Sequence, residues 1–244
     1  MSARRPAPAA DVVRAARAVA ARADPALRGA DLAALRAQLR RRPALRAAAA
    51  RWQDALIERE IPRGASVLDL GCGGGELLAR LIRDRGVRGQ GIEIDPEAVA
   101  RCVALDVPVL QSDAEAGLQS FADGTFDYVV LEETLQTLRA PIRVLEEMLR
   151  VGRFGIVSFP NFGYWRVRLA LALEGRMPVT ANLPYRWFDT PNIHLFTLQD
   201  LLDWAEGAGV RRVRGYALVE GRVRPLAADD NLRAEEALLV IAKS

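Results

Sequence analysis

The sequence predicts an α/β fold, a doubly wound and mostly parallel sheet of seven strands preceded by a helical extension. Three observations carry that expectation. From Ser66 onward, short aliphatic runs alternate with stretches of helical spacing. A glycine-rich turn with Gly71, Gly73 and Gly75 joins the first of these strands to the first of these helices. Acidic residues then stand at the ends of successive strands. Strands separated by helices argue for parallel pairing with both sheet faces covered.

The chain divides into an Ala/Arg-rich arm, 1–59, and a domain, 60–244, with an insert at about 161–196. In the arm, Asp11 is placed to cap "VVRAARAVAAR" and Asp31 to cap "LAALRAQLRRR", where Leu32, Leu35 and Leu39 share a face. Pro43 interrupts, and Leu45, Ala49, Trp52 and Leu56 give a third helix that ends in the turn "IPRGAS". "SVLDLG" is the first strand, followed by the helix "GGELLARLIRDRG". "RGQGIEID" is the second strand, and Pro96 opens the helix "PEAVARCVAL". "VPVLQSD" and "FDYVVLE" are the third and fourth strands, "PIRVLEEMLRV" a helix, and "RFGIVSFP" the fifth strand. In the insert, "FGYWRVRLALALEGRMP" reads as a helix with Trp165, Leu169 and Leu173 inward. "NLPYRWFDTPNIHLFT" reads as a proline-limited loop, and Thr197 caps "TLQDLLDWAEGAG". "RVRGYALVE" and "EALLVIAKS" complete the seven strands.

Composition narrows the function classes. Residues 1–51 hold twelve arginines and three aspartates, a net +9, whereas the remainder holds 22 basic and 28 acidic residues, a net −6. The basic excess therefore lies on the arm, and the body offers no nucleic-acid groove. No apolar run approaches the roughly 20 residues that span a bilayer. Two cysteines and one histidine give neither a disulfide framework nor a zinc-site spacing, and a reduced, cytoplasmic setting fits. The arginine-rich arm has the composition of an organelle leader, but the arginine bias continues through the body. An extension, or a grip for a partner, fits it better.

"VLDLGCGGGELL" is the motif that bears on chemistry. Glycines between strand and helix let a ligand approach the backbone closely, with helix N–H groups open to an anionic end. A dinucleotide site wants G-x-G-x-x-G, and counting from Gly71 its third glycine falls on Glu76. The chain instead shows D-x-G-x-G-x-G led by Asp69, which resembles the first motif of class I S-adenosylmethionine-dependent methyltransferases. On that resemblance, Glu93 accepts from the ribose hydroxyls with Asp95 one pleat on, Asp113 faces the adenine amino group, and Leu131 lies beneath the methyl-transfer position. Glu132 and Glu133, in "LEETLQ", and the lone histidine, His194, are the catalytic candidates in reach.

"VSFPNFGYWRVRLALALEGRMPVTANLPYRWFDTPNIHLFTLQDLLDWAEGAG", taken with the glycine motif, "GIEIDPEAV" and "FDYVVLEETLQTLRAPIRVLEEMLRVG", closely resembles the MetW family of bacterial methionine biosynthesis proteins over residues 60–220. The resemblance implies an accessory or activating role beside homoserine O-acetyltransferase and a crevice that retains S-adenosylmethionine. It also implies a partner or substrate loop bearing Asn161, Arg166, Tyr185, Trp187, Asp189, Asn192 and His194. The arm departs from the family, and so does "LEETLQ", where the usual pair before the threonine is polar and uncharged. The competing expectation is an active small-molecule methyltransferase.

Overall fold

A computed structural model of the chain describes residues 9–40 and 51–244. Helix α1 (Ala10–Ala23) and α2 (Leu32–Arg40) form the arm, and α3 (Trp52–Glu60) leads into strand β1 (Ser66–Leu70). The body then runs α4 (Glu76–Arg85), β2 (Arg88–Glu93), α5 (Pro96–Ala104), β3 (Val109–Gln111), α6 (Ala114–Gly117) and β4 (Phe126–Glu132). Next come α7 (Pro141–Val151), β5 (Gly152–Pro160), α8 (Trp165–Leu169), α9 (Leu198–Gly207) and β6 (Val210–Val219). The chain closes with β7 (Arg222–Pro225), α10 (Asp230–Arg233) and β8 (Glu236–Lys243).

The strands make one sheet in the order β3-β2-β1-β4-β5-β8-β6-β7. Pairs among β1 to β5 are parallel, and β8 runs antiparallel between β5 and β6. The winding reverses between β1 and β4, which places a ligand crevice outside the carboxyl ends of those two strands. The sheet has eight strands where seven were expected. The addition is β7, folded back on β6 through the two-residue turn Glu220–Gly221, with φ 51° and 72°. Both residues are left-handed, the geometry of a tight hairpin that an Asn-Gly pair would have announced and Glu-Gly did not.

Alternation along the strands sets what each face can do. Leu68 and Leu70 of β1, with Val129 and Leu131 of β4, enter one core beneath α7 and α9. Val67 and Val130 enter the other core, where α3 and α4 supply Trp52, Leu56, Ile57, Leu77, Leu78 and Leu81. α3, assigned on sequence to the arm, is thus packed into the body. Of the third helix expected in the arm, Leu45 and Ala49 lie outside the described residues, as does Pro43.

The rest of the arm packs on the insert. Ala16, Ala20 and Ala23 of α1, with Leu27 and Leu35, share a small core with Trp165, Val167, Leu169 and Leu173. The small faces of α1 let its backbone approach the insert helix closely. Asp31 accepts from the Ala34 N–H at 2.7 Å, as a cap should, whereas Asp11 lies inside the first turn of α1 and does not cap it. The single long helix expected at 162–178 is a five-residue α-helix continued by a π-turn, 170–174, and stopped by Gly175 at φ 56°.

Candidate functional site at the sheet edge

The glycine turn holds Gly71, Gly73 and Gly75 at φ 73°, 56° and 81°. A Cβ on Gly71 would meet the Thr134 Oγ1 at 2.9 Å, so this position excludes side chains twice over. Gly73 opens onto free space.

Asp69, Asp54 and Glu132 form a nest of acids beside it. Asp69 and Glu132 occupy the α3-facing side of their strands, in step with Val67 and Val130, and α3 delivers Asp54. All three are nearly buried. Burial pushes Asp69 up to about 7, with the Asp54 and Glu93 charges adding to the rise and the Arg51 charge opposing it. Burial likewise pushes Glu132 up to about 8, reinforced by Asp54 and opposed by Arg51. Arg51 reaches Glu132 at 3.7 Å, and Arg80 of α4 pairs with Asp54. Glu132 Oε1 and Asp54 Oδ1 are buried with no hydrogen-bond partner among the described residues. Among the described residues, three acids thus share two arginines, and these two open oxygens would accept from a donor or lie favourably beside a cationic ligand.

The other expected site residues are differently employed. Glu93 accepts from the Gly73 N–H at 2.9 Å through Oε2, and from Ile94 and Asp95 at 2.8 and 2.9 Å through Oε1. Three of its four lone-pair directions are taken by the turn it stabilises, leaving room for one ribose hydroxyl rather than two. Asp95 caps α5, and the exposed Asp113 caps α6 through a 2.8 Å bond from Glu115 N–H. Leu131 is fully buried in the α7/α9 core, one pleat out of step with the acids, and offers the crevice no side-chain surface.

Glu133 sits at φ 50°, left-handed for a residue with a side chain, a conformation costing about 1–2 kcal/mol. Its N–H donates to Ser158 O at 3.1 Å and Ser158 Oγ at 3.2 Å, and its Oε1 accepts from Gln53 Nε2 at 2.8 Å. Glu132 and Glu133 therefore come together, but His194 does not join them. The His194 N–H donates to Gln136 O at 3.0 Å, and its ring lines a separate apolar cavity of about 190 Å³ with Leu135, Leu145, Phe196 and Trp204.

The loop residues also separate. Asn161, 1% exposed, cannot face a partner. Its Nδ2 donates to Ala234 O at 2.9 Å and Asn231 O at 3.2 Å, and its Oδ1 accepts from Gly163 and Leu198 N–H at 2.9 and 3.0 Å. It fastens β5 to the start of α9 and to α10. Arg166 points at the arm, donating to Gln38 O at 3.5 Å and lying 5.2 Å over the Trp165 ring. Asp189 closes a turn by accepting from Arg186 N–H at 2.5 Å, and Asn192 N–H donates to Thr190 Oγ1 at 3.1 Å. Tyr185, Trp187 and Phe188 remain outside, Trp187 at 76% exposure, with the Trp187 and Phe188 rings edge-to-face at 5.5 Å. Sequence reasoning missed Gln53, Asp54 and Gln136. The signal was present in "RWQDALIERE", whose Gln53, Asp54 and Glu60 are polar residues on a helix that otherwise packs inward.

The model of the family described as methionine biosynthesis protein MetW matches residues 51–241. The chain belongs to the MetW family. The match starts at Arg51, so it takes in α3 and leaves out α1 and α2. A bifunctional methionine biosynthesis protein, MetXA/MetW, of Rhodopirellula baltica is 41% identical over 153 residues, or 59% of this chain and 24% of that one. The chain thus spans about a quarter of that relative. A 2-phytyl-1,4-naphtoquinone methyltransferase of Thermosynechococcus vestitus is 30% identical over 70% of this chain and 83% of its own length. Among solved structures, a SAM-dependent methyltransferase from Archaeoglobus fulgidus superposes with a TM-score of 0.58 at 18% identity, covering 78% of this chain and 93% of that chain. One from Thermotoga maritima gives 0.57 at 15% identity, covering 78% and 87%. These structures establish the methyltransferase fold of this MetW-family chain and, at such identities, the fold alone. Among the described residues, no helix is long and apolar enough to cross a membrane.

Proposed function

We propose that this MetW-family chain is an accessory, activating partner of homoserine O-acetyltransferase in the cytoplasm, and that its crevice retains S-adenosylmethionine. The observation that carries the first part is the Rhodopirellula relative, whose single chain is named for a MetXA and a MetW part together. We infer that the MetXA part is the acetyltransferase. Functions joined covalently in one organism support two chains working side by side in another. The exposed Tyr185, Trp187 and Phe188 supply aromatic surface of the kind that anchors interfaces.

The second part rests on the fit of the crevice. Gly71, Gly73 and Gly75 would take the ligand against the backbone, with Asp69, Glu93 and the exposed Asp113 as its polar contacts. When bound, the sulfonium would add a cation beside an acid nest that Arg51 and Arg80 already serve in part. S-adenosylmethionine derives from the end product of methionine synthesis, so a crevice that holds it would tune the partner to supply.

Co-purification of the two proteins, with acetyltransferase activity measured alone and together, tests the partnership. An acetyltransferase that has full activity alone, unchanged by this chain, overturns it. Calorimetry with S-adenosylmethionine tests the crevice, and no binding heat or thermal stabilisation at millimolar ligand removes that part. Formation of S-adenosylhomocysteine with a metabolite acceptor would instead make the chain an enzyme.

A further inference from the structure

We propose that Asp54 and Glu132, together with Asp69, make the crevice selective for a ligand whose sulfur carries a positive charge. The sulfonium of S-adenosylmethionine is then held in preference to the neutral sulfide of S-adenosylhomocysteine, the same molecule less one methyl group. The inference rests on the reading that this crevice holds S-adenosylmethionine, and it adds which of the two forms the site takes.

Placement comes first. Asp69 and Glu132 stand at the carboxyl ends of the neighbouring strands β1 and β4, where the winding of the sheet reverses. α3 brings Asp54 close enough for its charge to act on both. Glu93 ends β2 and accepts from the Gly73 N–H, and Gly73 opens onto free space. A ligand seated on the glycine turn therefore has Glu93 at one flank and the nest at the other.

Arginines serve the nest only in part. Arg51 reaches Glu132 at 3.7 Å, and Arg80 is shared between Asp54 and Glu58, the latter at 2.7 Å. Among the described residues, these two guanidiniums face Asp54, Glu58, Asp69 and Glu132, and the charge of Glu133 also falls on Arg51. The Cys72 thiol, next to Asp69, is pushed up by burial and adds no cation. Asp54 and Glu132 are each 9% exposed, and each keeps one buried carboxyl oxygen without a hydrogen-bond partner among the described residues. The nest answers this by holding protons. Burial pushes Asp69 up to about 7, where Asp54 and Glu93 add to the rise, and Glu132 up to about 8, where Asp54, Asp69 and Glu133 do.

A sulfonium beside the nest takes over the role of those protons. It favours the ionised carboxylates, so its binding lowers both groups and releases a proton to solvent. A neutral sulfide offers no charge in exchange and leaves the protons in place. The low dielectric around buried carboxylates lets this operate without contact between sulfur and oxygen. The sign follows: where the nest is protonated the two ligands bind alike, and as pH rises from the value of Asp69 through that of Glu132 the sulfonium gains. The crevice then follows the level of the methylated ligand and disregards its demethylated form.

Calorimetry on the full chain with S-adenosylmethionine and S-adenosylhomocysteine, each at about pH 6, 7.5 and 8.5, tests this. The adenosine and amino-acid ends are common to both, so their own titration cancels in the ratio of the two Kd values. At pH 8.5 the sulfonium should bind about tenfold or more tighter, and the ratio should shrink by about fivefold or more at pH 6. At pH 7.5, two buffers of different ionisation enthalpy should show up to about one more proton released with the sulfonium than with the sulfide. Glu132→Gln and Asp54→Asn should each lower the ratio at pH 8.5 by about fivefold, with thermal melts showing that they fold. Should either fail to fold, the pH series on the parent carries the test. The inference is overturned if the ligands bind within about twofold of each other at pH 8.5, if the ratio is unmoved by pH, or if both folded variants keep the parent's ratio. Equal binding of the two ligands leaves the crevice reading standing and removes this inference alone. No heat from either ligand at about 1 mM removes the crevice reading and this inference with it.

Discussion

The carboxyl edge of the sheet and the layer that the arm makes with the insert are held by opposite means. At the edge, buried carboxylates, a few arginines and amide side chains meet in specific pairs, and two acids lie far above their ordinary range. In the layer, alanines of α1 pack on an aromatic-bearing helix, joined by ion pairs such as Arg36 to Glu174 at 3.2 Å and Arg22 to Asp229 at 2.7 Å. The difference teaches which perturbation each region feels. The edge responds to protons and to the charge of a ligand, the layer to side-chain volume and to whatever covers its exposed aromatics.

Asn161 is where the two regions meet, and its removal is the severest way to break the contrast. Asn161→Ala strips partners from several buried backbone groups and should cost about 3–5 kcal/mol, lowering Tm by about 10 °C in one cooperative transition. Two separate transitions, or a Tm within about 2 °C of the parent, would show that Asn161 does not join them.

The next effect separates the regions by pH. Unfolded, Asp69 and Glu132 titrate near 4; folded, they titrate at about 7 and about 8. The folded chain therefore binds more protons between these limits, and stability falls as pH rises through the window and levels off above about 8. Between pH 5.5 and 8.5 the loss should be on the order of 5 kcal/mol. Thermal melts at pH 5.5 and 8.5 should show a higher Tm at the lower pH, with the gap narrowed in Asp69→Asn and Glu132→Gln. An equal gap in parent and variants sinks the assignment.

A volume change addresses the layer alone. Ala20→Leu, at a fully buried position on α1, should cost about 1–3 kcal/mol through overpacking. Hydrogen exchange should quicken in α1 and α8 and stay unchanged in β1, β4 and β5. Loss of protection across the sheet would mean that the layer is no separate unit. The smallest effect on stability belongs to Trp187→Ala, about 0.5 kcal/mol or less at an exposed site. It should nonetheless weaken association with the acetyltransferase by about tenfold, since exposed aromatics carry interface energy out of proportion to their number. Unaltered association would move the interface elsewhere.

The two regions were also unequally legible from sequence. Local period and turn chemistry placed β1 to β5, the cap at Thr197, and the glycine turn, because each is written within a few adjacent residues. The acid nest was half legible. Asp69 and Glu132 stand out in their strands, but Asp54 joins them only because α3 folds back over the sheet, a contact across many residues that no local pattern records. Leu131 was misplaced by one pleat, and a shift of one residue sends a strand side chain to the opposite face. Asn161 has the look of a loop amide in sequence; four of its five side-chain hydrogen bonds join it to segments distant in the chain.

The short hairpin strand β7 also bears on how the molecule keeps to itself. Without it, the ten-residue β6 would form the rim of the sheet, a long row of open backbone groups on which another chain could build. β7 covers the last four residues of that rim, 216–219, with four of its own, two of them arginines and the last a proline, and the opposite rim is the three-residue β3. The β3 border is short, and β7 shortens and charges the other. A tight turn that escaped notice in the sequence thus helps to guard the sheet against strand-to-strand aggregation.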